Sequence, residues 1–521
     1  MDGVEPASRE PAAASRQTPL PGRVPVRWLD SLCLCGLAVL VLATYAPVYT
    51  QTYLATDDYA ITEGAPAGYF LACGRPLQGL AYRLLPRAPD SLDGFRLFRL
   101  VATLGVVALA TLLWYRLARL IPDKLTRLLA VVAIAALPPL QIVVAWVCCW
   151  PFVFGALLAG LSACLVLDSG RATLQPLGDA FRLAAAAGLH VAALCVYQPA
   201  GMWFWTIVLI DALGAGTRSA GLWEPKQFRR MSIVLACGLA HIALYYLLIR
   251  GWQSAADVEM IGRGAATDDP LAKLVWFVNK PLVYGLSGWN LYQPFWFAFA
   301  AVPLLATGTG FAVRRQFLEL RRRGCSARNA IGRVAAQAYW IAGLIPLAYL
   351  PNLAVAESAP SCRSEMALGT SLAVLLIWAV GVLIHRSHLS SVTRRFARCG
   401  AGLFCLAALI AARLNVVETI ILPQQREYQF VVDSLDAQAR PEVARIHMIC
   451  PRGLVLSGRQ RHDEFGIPSS ATSWGAAGML RIALRERGWQ APPQATFSAQ
   501  PIDTHDKSVL VVDLTKVMSD Q

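Results

Sequence analysis

The chain has 521 residues, of which 56% are hydrophobic and only 15% are charged. Soluble proteins carry about 25% charged residues, so a string of soluble domains is excluded and a multi-pass membrane protein is indicated. The formal net charge of +14 raises the question of a nucleic-acid partner, and the distribution of the basic residues along the chain answers it.

Apolar blocks predict about eleven transmembrane helices. The predicted helices begin near Ser31, Leu97, Leu125, Pro151, Arg182, Gly201, Ser232, Ser287, Gln337, Met366 and Gly400. If the N-terminal tail, residues 1–30, is cytoplasmic, the cytoplasmic segments carry 25 Lys and Arg residues and the opposite loops carry 10. The positive-inside rule describes this asymmetry, so topology accounts for the basic surplus and no nucleic-acid partner is expected. An odd number of helices places the C-terminus outside the cytoplasm.

Two long non-cytoplasmic loops, residues 51–96 and 251–286, interrupt the predicted membrane domain of residues 31–417. Each loop contains a stretch, Gly68–Arg83 or Leu271–Tyr284, with apolar residues at helical spacing. This pattern predicts two helices that lie in the membrane interface rather than across it. Function is expected in these loops, because charged residues concentrate there.

The pattern changes towards the C-terminus. A polar helical stretch, Gln425–Ala439, is followed by a strand-like run at Arg445–Cys450, a helix at Ser473–Arg487 and a second strand-like run at Ser508–Leu514. These elements predict a small extracytoplasmic α/β domain, residues 418–521. The predicted fold class is therefore an all-α polytopic membrane protein with a small C-terminal α/β domain.

The strongest local signal is Thr56-Asp57-Asp58-Tyr59, a few residues beyond the first predicted helix. Adjacent carboxylates at a membrane surface repel each other and are costly to desolvate. A chemical role is therefore favoured over the alternative, a solvated loop start. Gly74-Arg75-Pro76-Leu77, on the first interfacial helix, offers a cation. A carboxylate paired with a cation in a cleft is the minimum needed to activate a hydroxyl beside a departing phosphate.

These features resemble the GT-C superfamily of polyprenyl-phosphate-dependent glycosyltransferases, and within it the bacterial O-antigen glucosyltransferases. The resemblance lies in the Asp-Asp pair after the first helix, the Gly-Arg-Pro-Leu stretch on the first outside loop and the multi-span body. It implies that Asp57 or Asp58 acts as general base or binds the acceptor, and that Arg75 holds the donor phosphate. It assigns no role to the C-terminal domain.

Further side chains on the non-cytoplasmic side are candidate substrate contacts. Arg363, at the start of a predicted helix, is a candidate for phosphate binding, and the alternative is a surface ion pair with Glu357 or Glu365. Lys280 is a second phosphate candidate, with snorkelling to the lipid headgroups as the alternative.

Acceptor or sugar contacts are expected from four residues. For the aromatic ones near the outer face, the alternative is anchoring in the aromatic belt of the membrane interface. The four are Tyr59, Glu357, Tyr197 and Gln198.

The sequence identifies no certain cofactor. The 13 cysteines show no metal-ligand spacing, and the adjacent Cys148 and Cys149 are expected to pack in the core. His462-Asp463-Glu464 suggests a metal at first sight, but three adjacent side chains cannot all face one ion, so a solvated turn is expected. A divalent cation beside the Asp pair stays open, with the metal unknown.

The predicted function is a hexosyl- or pentosyltransferase of the bacterial cytoplasmic (inner) membrane. It would move one sugar from a polyprenyl-phosphate donor to an extracytoplasmic glycan or glycolipid, with membrane lipid as its surroundings. No nucleotide-binding loop is present, which disfavours an ATP-driven pump. The alternative is a lipid or glycolipid translocase without covalent chemistry, which would need polar residues spread along several helices. A scaffold for the C-terminal domain is a third possibility, although one helix would suffice for it.

Overall fold

The computed structural model describes residues 26–61, 67–84, 92–169, 176–218, 223–259, 261, 265–288, 296–386, 391–438, 443–452, 464–489, 494–500, 506 and 508–519. Most of the predicted cytoplasmic tail lies outside these residues, as do His462 and Asp463 of the predicted solvated turn.

Apart from three short strands and one isolated bridge, the regular structure of this part of the chain is helical. Short 3-10 helices extend or connect the α-helices at Leu92–Phe95, Val147–Cys149, Cys362–Glu365 and Ser469–Ala471. The α-helices are α1 (Val26–Thr50), α2 (Asp58–Ile61), α3 (Ala67–Ala72), α4 (Pro76–Leu84), α5 (Arg96–Leu117), α6 (Lys124–Ala135), α7 (Pro138–Ala145), α8 (Phe152–Asp168), α9 (Pro176–Val196), α10 (Gln198–Gly201), α11 (Trp203–Arg218), α12 (Pro225–Ala255), α13 (Pro270–Asn279), α14 (Pro281–Leu286), α15 (Trp296–Arg322), α16 (Ala327–Leu347), α17 (Leu350–Ala354), α18 (Met366–Arg386), α19 (Ser391–Leu414), α20 (Leu422–Gln438), α21 (Ser473–Glu486) and α22 (Thr515–Ser519).

The chain is a multi-pass membrane protein. Among the described residues, nine helical segments are long and apolar enough to cross a membrane, or ten if the bent pair of α6 and α7 crosses as one. The expected number was about eleven. The difference lies at the predicted helix near Gly201, which is α11, a helix of 16 residues. The side chains from Trp203 to Leu213 are almost completely buried, so other helices surround this mostly apolar helix.

Proline produces the bend between α6 and α7. The two helices form an angle of 57°, and α7 begins with the adjacent residues Pro138 and Pro139. Proline lacks the backbone N–H that a continuous helix needs and its ring clashes with the preceding turn. The predicted single span near Leu125 is therefore broken into two helices.

The first predicted interfacial helix is a helical hairpin instead. Helices α3 and α4 flank a turn at Cys73-Gly74-Arg75, where Gly74 has a φ of 71°. A Cβ atom at Gly74 would lie 2.7 Å from the hydroxyl of Tyr245 and 2.9 Å from Nε2 of Gln198. Both the backbone conformation and the available space therefore require glycine here. The turn brings Arg75 against Gln198 of α10 and Gly74 against Tyr245 of α12.

The second predicted interfacial helix is also divided, into α13 and α14, at Lys280-Pro281. Asp269 caps α13 by accepting a hydrogen bond from the backbone N–H of Ala272 (2.8 Å), as an acidic residue before a helix often does. Leu271, Leu274, Val275 and Val278 are exposed along one face of α13. Their spacing and exposure fit a helix with one face towards lipid.

The C-terminal region contains a three-stranded parallel sheet. Its strands are β1 (Arg445–Ile449), β2 (Gln494–Ser498) and β3 (Val509–Asp513), in the order β2-β1-β3. The two predicted strands and the two predicted helices, α20 and α21, are confirmed. Strand β2 was missed because its side chains lie at an exposed edge, so the strand lacks the apolar run of a buried one.

The membrane domain and the C-terminal region adjoin along a continuous helical segment. Helix α19 continues through a π-helical turn, Asn415–Ile421, into α20. Val431 and Leu435 of α20 pack in a core with Ile446 and Met448 of β1. The expected boundary at residue 418 therefore falls inside a helical segment that connects the membrane to the sheet.

Candidate active site

The Thr56–Tyr59 segment lies where the membrane domain meets the C-terminal region, and its two carboxylates point in different directions. Asp58 begins α2, and its Oδ2 accepts a hydrogen bond from the backbone N–H of Ala55 (3.0 Å). Its Oδ1 accepts one from the backbone N–H of Cys148 (2.8 Å). The side chain is fully buried, and Nη2 of Arg99 lies 4.0 Å from Oδ2. Asp58 therefore joins the first loop, α5 and the Val147–Cys149 turn.

Burial has the largest effect on the pKa of Asp58. It raises the pKa of this carboxyl, while the guanidinium of Arg99 and the hydrogen bonds from backbone N–H groups oppose the increase. No surface of the carboxylate faces solvent. Asp58 is therefore placed to hold the loop, and a substrate hydroxyl cannot reach it in this arrangement.

Asp57, by contrast, is accessible and ion-paired. Its Oδ2 lies 2.9 Å from Nη2 of Arg363, and 34% of its side chain is exposed. The sequence pattern predicts Arg75 as the cation beside the Asp pair. In the structure it is Arg363, which is 306 residues away along the chain.

Arg363 also binds a second carboxylate, that of Glu464. Its Nε lies 2.8 Å from Oε1 of Glu464, and its backbone N–H donates to Oε2 (3.1 Å). Glu464 is fully buried, so the expectation that it belongs to a solvated turn is wrong: this carboxylate lies between the two parts of the protein. The alternative pairing of Arg363 with Glu357 or Glu365 is not the one that forms.

Aromatic rings and thiols surround the rest of the Arg363 guanidinium. Its carbon lies 4.9 Å from the ring centre of Trp146 and 5.6 Å from that of Phe465. Nη1 lies 3.7 Å from the sulfur of Cys149 and 3.9 Å from that of Cys148. Both cysteines are buried, as expected for core packing. Thiols are weak acceptors, so Nη1 is the least strongly bound of the three guanidinium nitrogens.

Arg75 is the second cation of the site. Its Nε donates to Oε1 of Gln198 (3.1 Å), and its guanidinium lies 4.6 Å from the ring centre of Tyr197. Among the described residues, no carboxylate lies within ion-pair distance of Arg75. Its terminal nitrogens are therefore not neutralised by a described acid.

Gln198 holds the turn that carries Arg75. Its Nε2 donates to the carbonyl oxygens of Cys73 (2.9 Å) and Gly74 (3.2 Å), and the hydroxyl of Tyr245 donates to the same Gly74 oxygen (2.8 Å). Gln198 was predicted as a sugar contact. The structure gives it a role in shaping the turn and directing Arg75.

Tyr197 lies near both cations. Its ring stacks on Phe152 with the centres 3.8 Å apart. Burial raises its pKa to about 12, against the effect of the charges of Arg75 and Arg363. Both guanidinium groups therefore lie within electrostatic range of one ring. Tyr69 similarly lies within electrostatic range of Arg75 and Asp57.

Three other predicted contacts lie elsewhere. Tyr59 is fully buried against the C-terminal region, where a Cβ atom at Gly478 would lie 2.7 Å from its own Cβ. Lys280 and Glu357 are both exposed. A neighbouring lysine, Lys273, is buried and donates to the carbonyl oxygen of Glu357 and to Oγ of Ser358.

The described residues contain no group of three or more His, Cys, Asp or Glu side chains that could hold a metal ion. Between the carboxylates of Asp57 and Glu464, the position that a cation would take holds the guanidinium of Arg363. The divalent cation stays a prediction without an assigned ligand set.

No family model matches the chain, and no curated protein matches it. Among solved structures, the chain is similar to the crystal structure of ArnT from Cupriavidus metallidurans bound to undecaprenyl phosphate. The identity is 11%, the TM-score is 0.45, and the match covers 96% of this chain and 89% of that chain. Values this low do not establish a common fold, so the site rests on the contacts of this chain's own residues.

Proposed function

We propose that the protein is a GT-C-type glycosyltransferase of the bacterial cytoplasmic membrane. It would transfer a hexose or pentose from a polyprenyl-phosphate donor to a glycan or glycolipid acceptor outside the cytoplasm. The observation that carries this proposal is the accessible carboxylate of Asp57 in an ion pair with Arg363, in the same region as Arg75, a cation that no described carboxylate neutralises.

The proposed reaction uses these groups as follows. The carboxylate of Asp57 takes the proton of an acceptor hydroxyl, whose oxygen forms a bond to the anomeric carbon of the sugar. The bond between that carbon and the phosphate oxygen breaks, and its electron pair stays on the polyprenyl phosphate. General base catalysis of this kind contributes roughly 10²–10⁴-fold.

The two arginines have different roles in this proposal. Arg363 holds the carboxylate of Asp57 in place through their ion pair. Arg75 stabilises the negative charge that develops on the departing phosphate, because a guanidinium binds phosphate oxygens bidentately. Phosphate roles for Arg363, through Nη1, and for Lys280 stay predictions, as do sugar contacts by Tyr197 and Glu357.

The proposal is tested with membranes that contain the protein and undecaprenyl phosphate carrying a radiolabelled hexose or pentose. Asp57→Asn keeps the shape of the side chain and removes the base, so transfer should fall by roughly 10²-fold or more while protein abundance holds. Asp93→Asn is the matched control, because Asp93 lies in the same predicted loop and pairs with Arg96 (3.0 Å). Wild-type transfer by Asp57→Asn would reject the proposed base.

A lipid translocase predicts a different result in the same membranes. It would move the labelled donor between leaflets without breaking its glycosidic bond. The assay therefore separates sugar found in the acceptor fraction from sugar still attached to the lipid. Label that stays lipid-linked with every donor and changes leaflet only when the protein is present would favour the translocase over the transferase.

A further inference from the structure

Three of the four residues in the Thr56–Tyr59 segment are connected to the C-terminal region. The hydroxyl of Thr56 lies 2.9 Å from that of Ser469. Asp57 is linked to Glu464 through Arg363, and Tyr59 packs against Gly478. The proposed catalytic loop thus has the C-terminal region as one of its walls.

The part of the C-terminal region that touches the loop is itself firmly held. The carboxylate of Glu427, on α20, accepts hydrogen bonds from the backbone N–H groups of Ser469 (3.2 Å) and Ser470 (2.9 Å). The hydroxyl of Ser469 donates to Gln424 (2.5 Å). These side chains are all fully buried. Buried hydrogen bonds of this kind rigidify the segments that they join, so the chain just after Glu464 is fixed to the helix that leaves the membrane.

The contacts between Glu464 and Arg363 position the guanidinium of Arg363. A guanidinium is planar, and its N–H groups form a fixed fork. Glu464 binds the Nε edge and the backbone N–H of the same residue. The ion pair at Nε and the hydrogen bond from the backbone N–H hold Arg363 beside Glu464, with Nη2 at Asp57.

We propose that Glu464 is a positioning residue for sugar transfer, which acts through Arg363 on Asp57 and makes the C-terminal region part of the active site. This inference rests on the proposed function. The guanidinium of Arg363 pairs with two carboxylates, those of Asp57 and Glu464. Glu464 therefore orients Arg363 and also takes part of the positive charge that would otherwise act on Asp57 alone. The role of the C-terminal region is then to deliver this carboxylate to the membrane domain.

The test compares Glu464→Gln with a matched control in the transfer assay. Glu464→Gln keeps the size of the side chain and removes its charge, so kcat should fall by about tenfold or more while KM for the donor changes by less than about threefold. Glu486→Gln is the control. Glu486 also joins the two parts of the protein, through the backbone N–H of Leu92 (3.3 Å) and the hydroxyl of Tyr428 (2.6 Å), but none of its bonds involves Arg363. It should transfer sugar at close to the wild-type rate.

A double-mutant cycle with Arg363→Lys separates positioning from a general loss of docking. If Glu464 acts through Arg363, the double variant should be no slower than the slower single variant. Effects that multiply would overturn the proposal, as would an equal loss in Glu486→Gln. Wild-type kcat in Glu464→Gln, with Asp57→Asn inactive, would overturn this inference and leave the proposed function intact.

A shorter carboxylate keeps the test decisive if Glu464→Gln does not fold. Glu464→Asp retains the charge but withdraws it by one methylene group from the guanidinium. Intermediate turnover, measured on protein whose melting temperature is near that of the wild type, would support positioning. Wild-type turnover in Glu464→Asp, with Glu464→Gln unfolded, would assign Glu464 to folding alone and overturn the proposal.

Discussion

The carboxylate of Asp58 accepts a hydrogen bond from the backbone N–H of Cys148, 90 residues further along the chain. Its other oxygen binds the backbone N–H of Ala55, and the buried guanidinium of Arg99 lies nearby. Adjacent Asp57 has no such bonds to the backbone among those described and is partly exposed. The two neighbouring aspartates therefore have different environments, and the structure separates a buried structural carboxylate from an accessible one.

This separation predicts that Asp58→Asn damages folding. An amide NH₂ cannot accept a hydrogen bond, so one of the two buried backbone N–H groups loses its partner, at a cost of about 1–3 kcal/mol. The buried charge of Arg99 also loses its counterion, which adds to the cost. Thermal unfolding of the purified protein, followed by tryptophan fluorescence, should show a lower melting temperature for Asp58→Asn than for Asp57→Asn.

The opposite pattern would change the assignment. If Asp58→Asn melts like the wild type yet loses transfer, then Asp58 has a chemical role that its burial does not reveal. Asp93→Asn serves again as the control for the removal of a carboxylate from the same predicted loop, because its side chain is 66% exposed and its loss should leave the melting temperature unchanged.

The sequence pattern could predict the features that depend on residues close together in the chain. Hydropathy predicts most of the membrane helices, and the Asp pair after the first helix identifies Asp57 as a candidate. Arg75 was identified from a Gly-Arg-Pro stretch, and the structure shows why the stretch matters: Gly74 allows the turn that directs Arg75 towards Gln198.

The pairing of Arg363 with distant carboxylates could not be predicted from the sequence pattern. Arg363 was a candidate for phosphate binding, but 306 residues separate it from Asp57 and 101 separate it from Glu464. Local spacing favoured the nearby Glu357 and Glu365 instead. Glu464 was expected in a solvated turn because the adjacent side chains of His462, Asp463 and Glu464 cannot all face one ion, whereas its carboxylate is buried and pairs with Arg363 of the membrane domain.

Arg75→Lys should reduce sugar transfer substantially. Lysine keeps the charge but loses the planar fork and the Nε hydrogen bond to Gln198. Hydrogen bonds to charged groups contribute about 1.5–3 kcal/mol each, so kcat/KM should fall by roughly 10- to 100-fold. Arg83→Lys is the matched control, since Arg83 is an exposed arginine on the same hairpin. Full activity in Arg75→Lys would remove Arg75 from the proposed phosphate site.

Gly74→Ala should displace the side chain of Arg75 without changing any charged group. An added Cβ would lie 2.7 Å from the hydroxyl of Tyr245 and 2.9 Å from Nε2 of Gln198, and the φ of 71° is strained for alanine. The turn must shift, so transfer should fall at least as far as in Arg75→Lys. Gly68→Ala, with no atom within 4 Å of the added Cβ, should be silent. Equal activity of the two alanine variants would show that the turn does not direct the arginine.

The contact between the first loop and the C-terminal region also predicts the membrane topology of the chain. The ion pairs of Arg363 with Asp57 and Glu464 join the first loop, the start of α18 and the C-terminal region, so these three lie on one side of the membrane. Arg119 and Arg230 pair with Asp211 in segments that the positive-inside rule assigns to the cytoplasm. Single cysteines at Asp93 and Gln500, in a background without reactive native thiols, should therefore react with a membrane-impermeant maleimide added outside intact cells. A cysteine at Arg322, at the end of α15, should react only after the membrane is opened. Labelling of Asp93 and Gln500 from opposite sides would contradict the domain contact itself, whereas labelling of both only after opening would keep the contact and invert the proposed orientation.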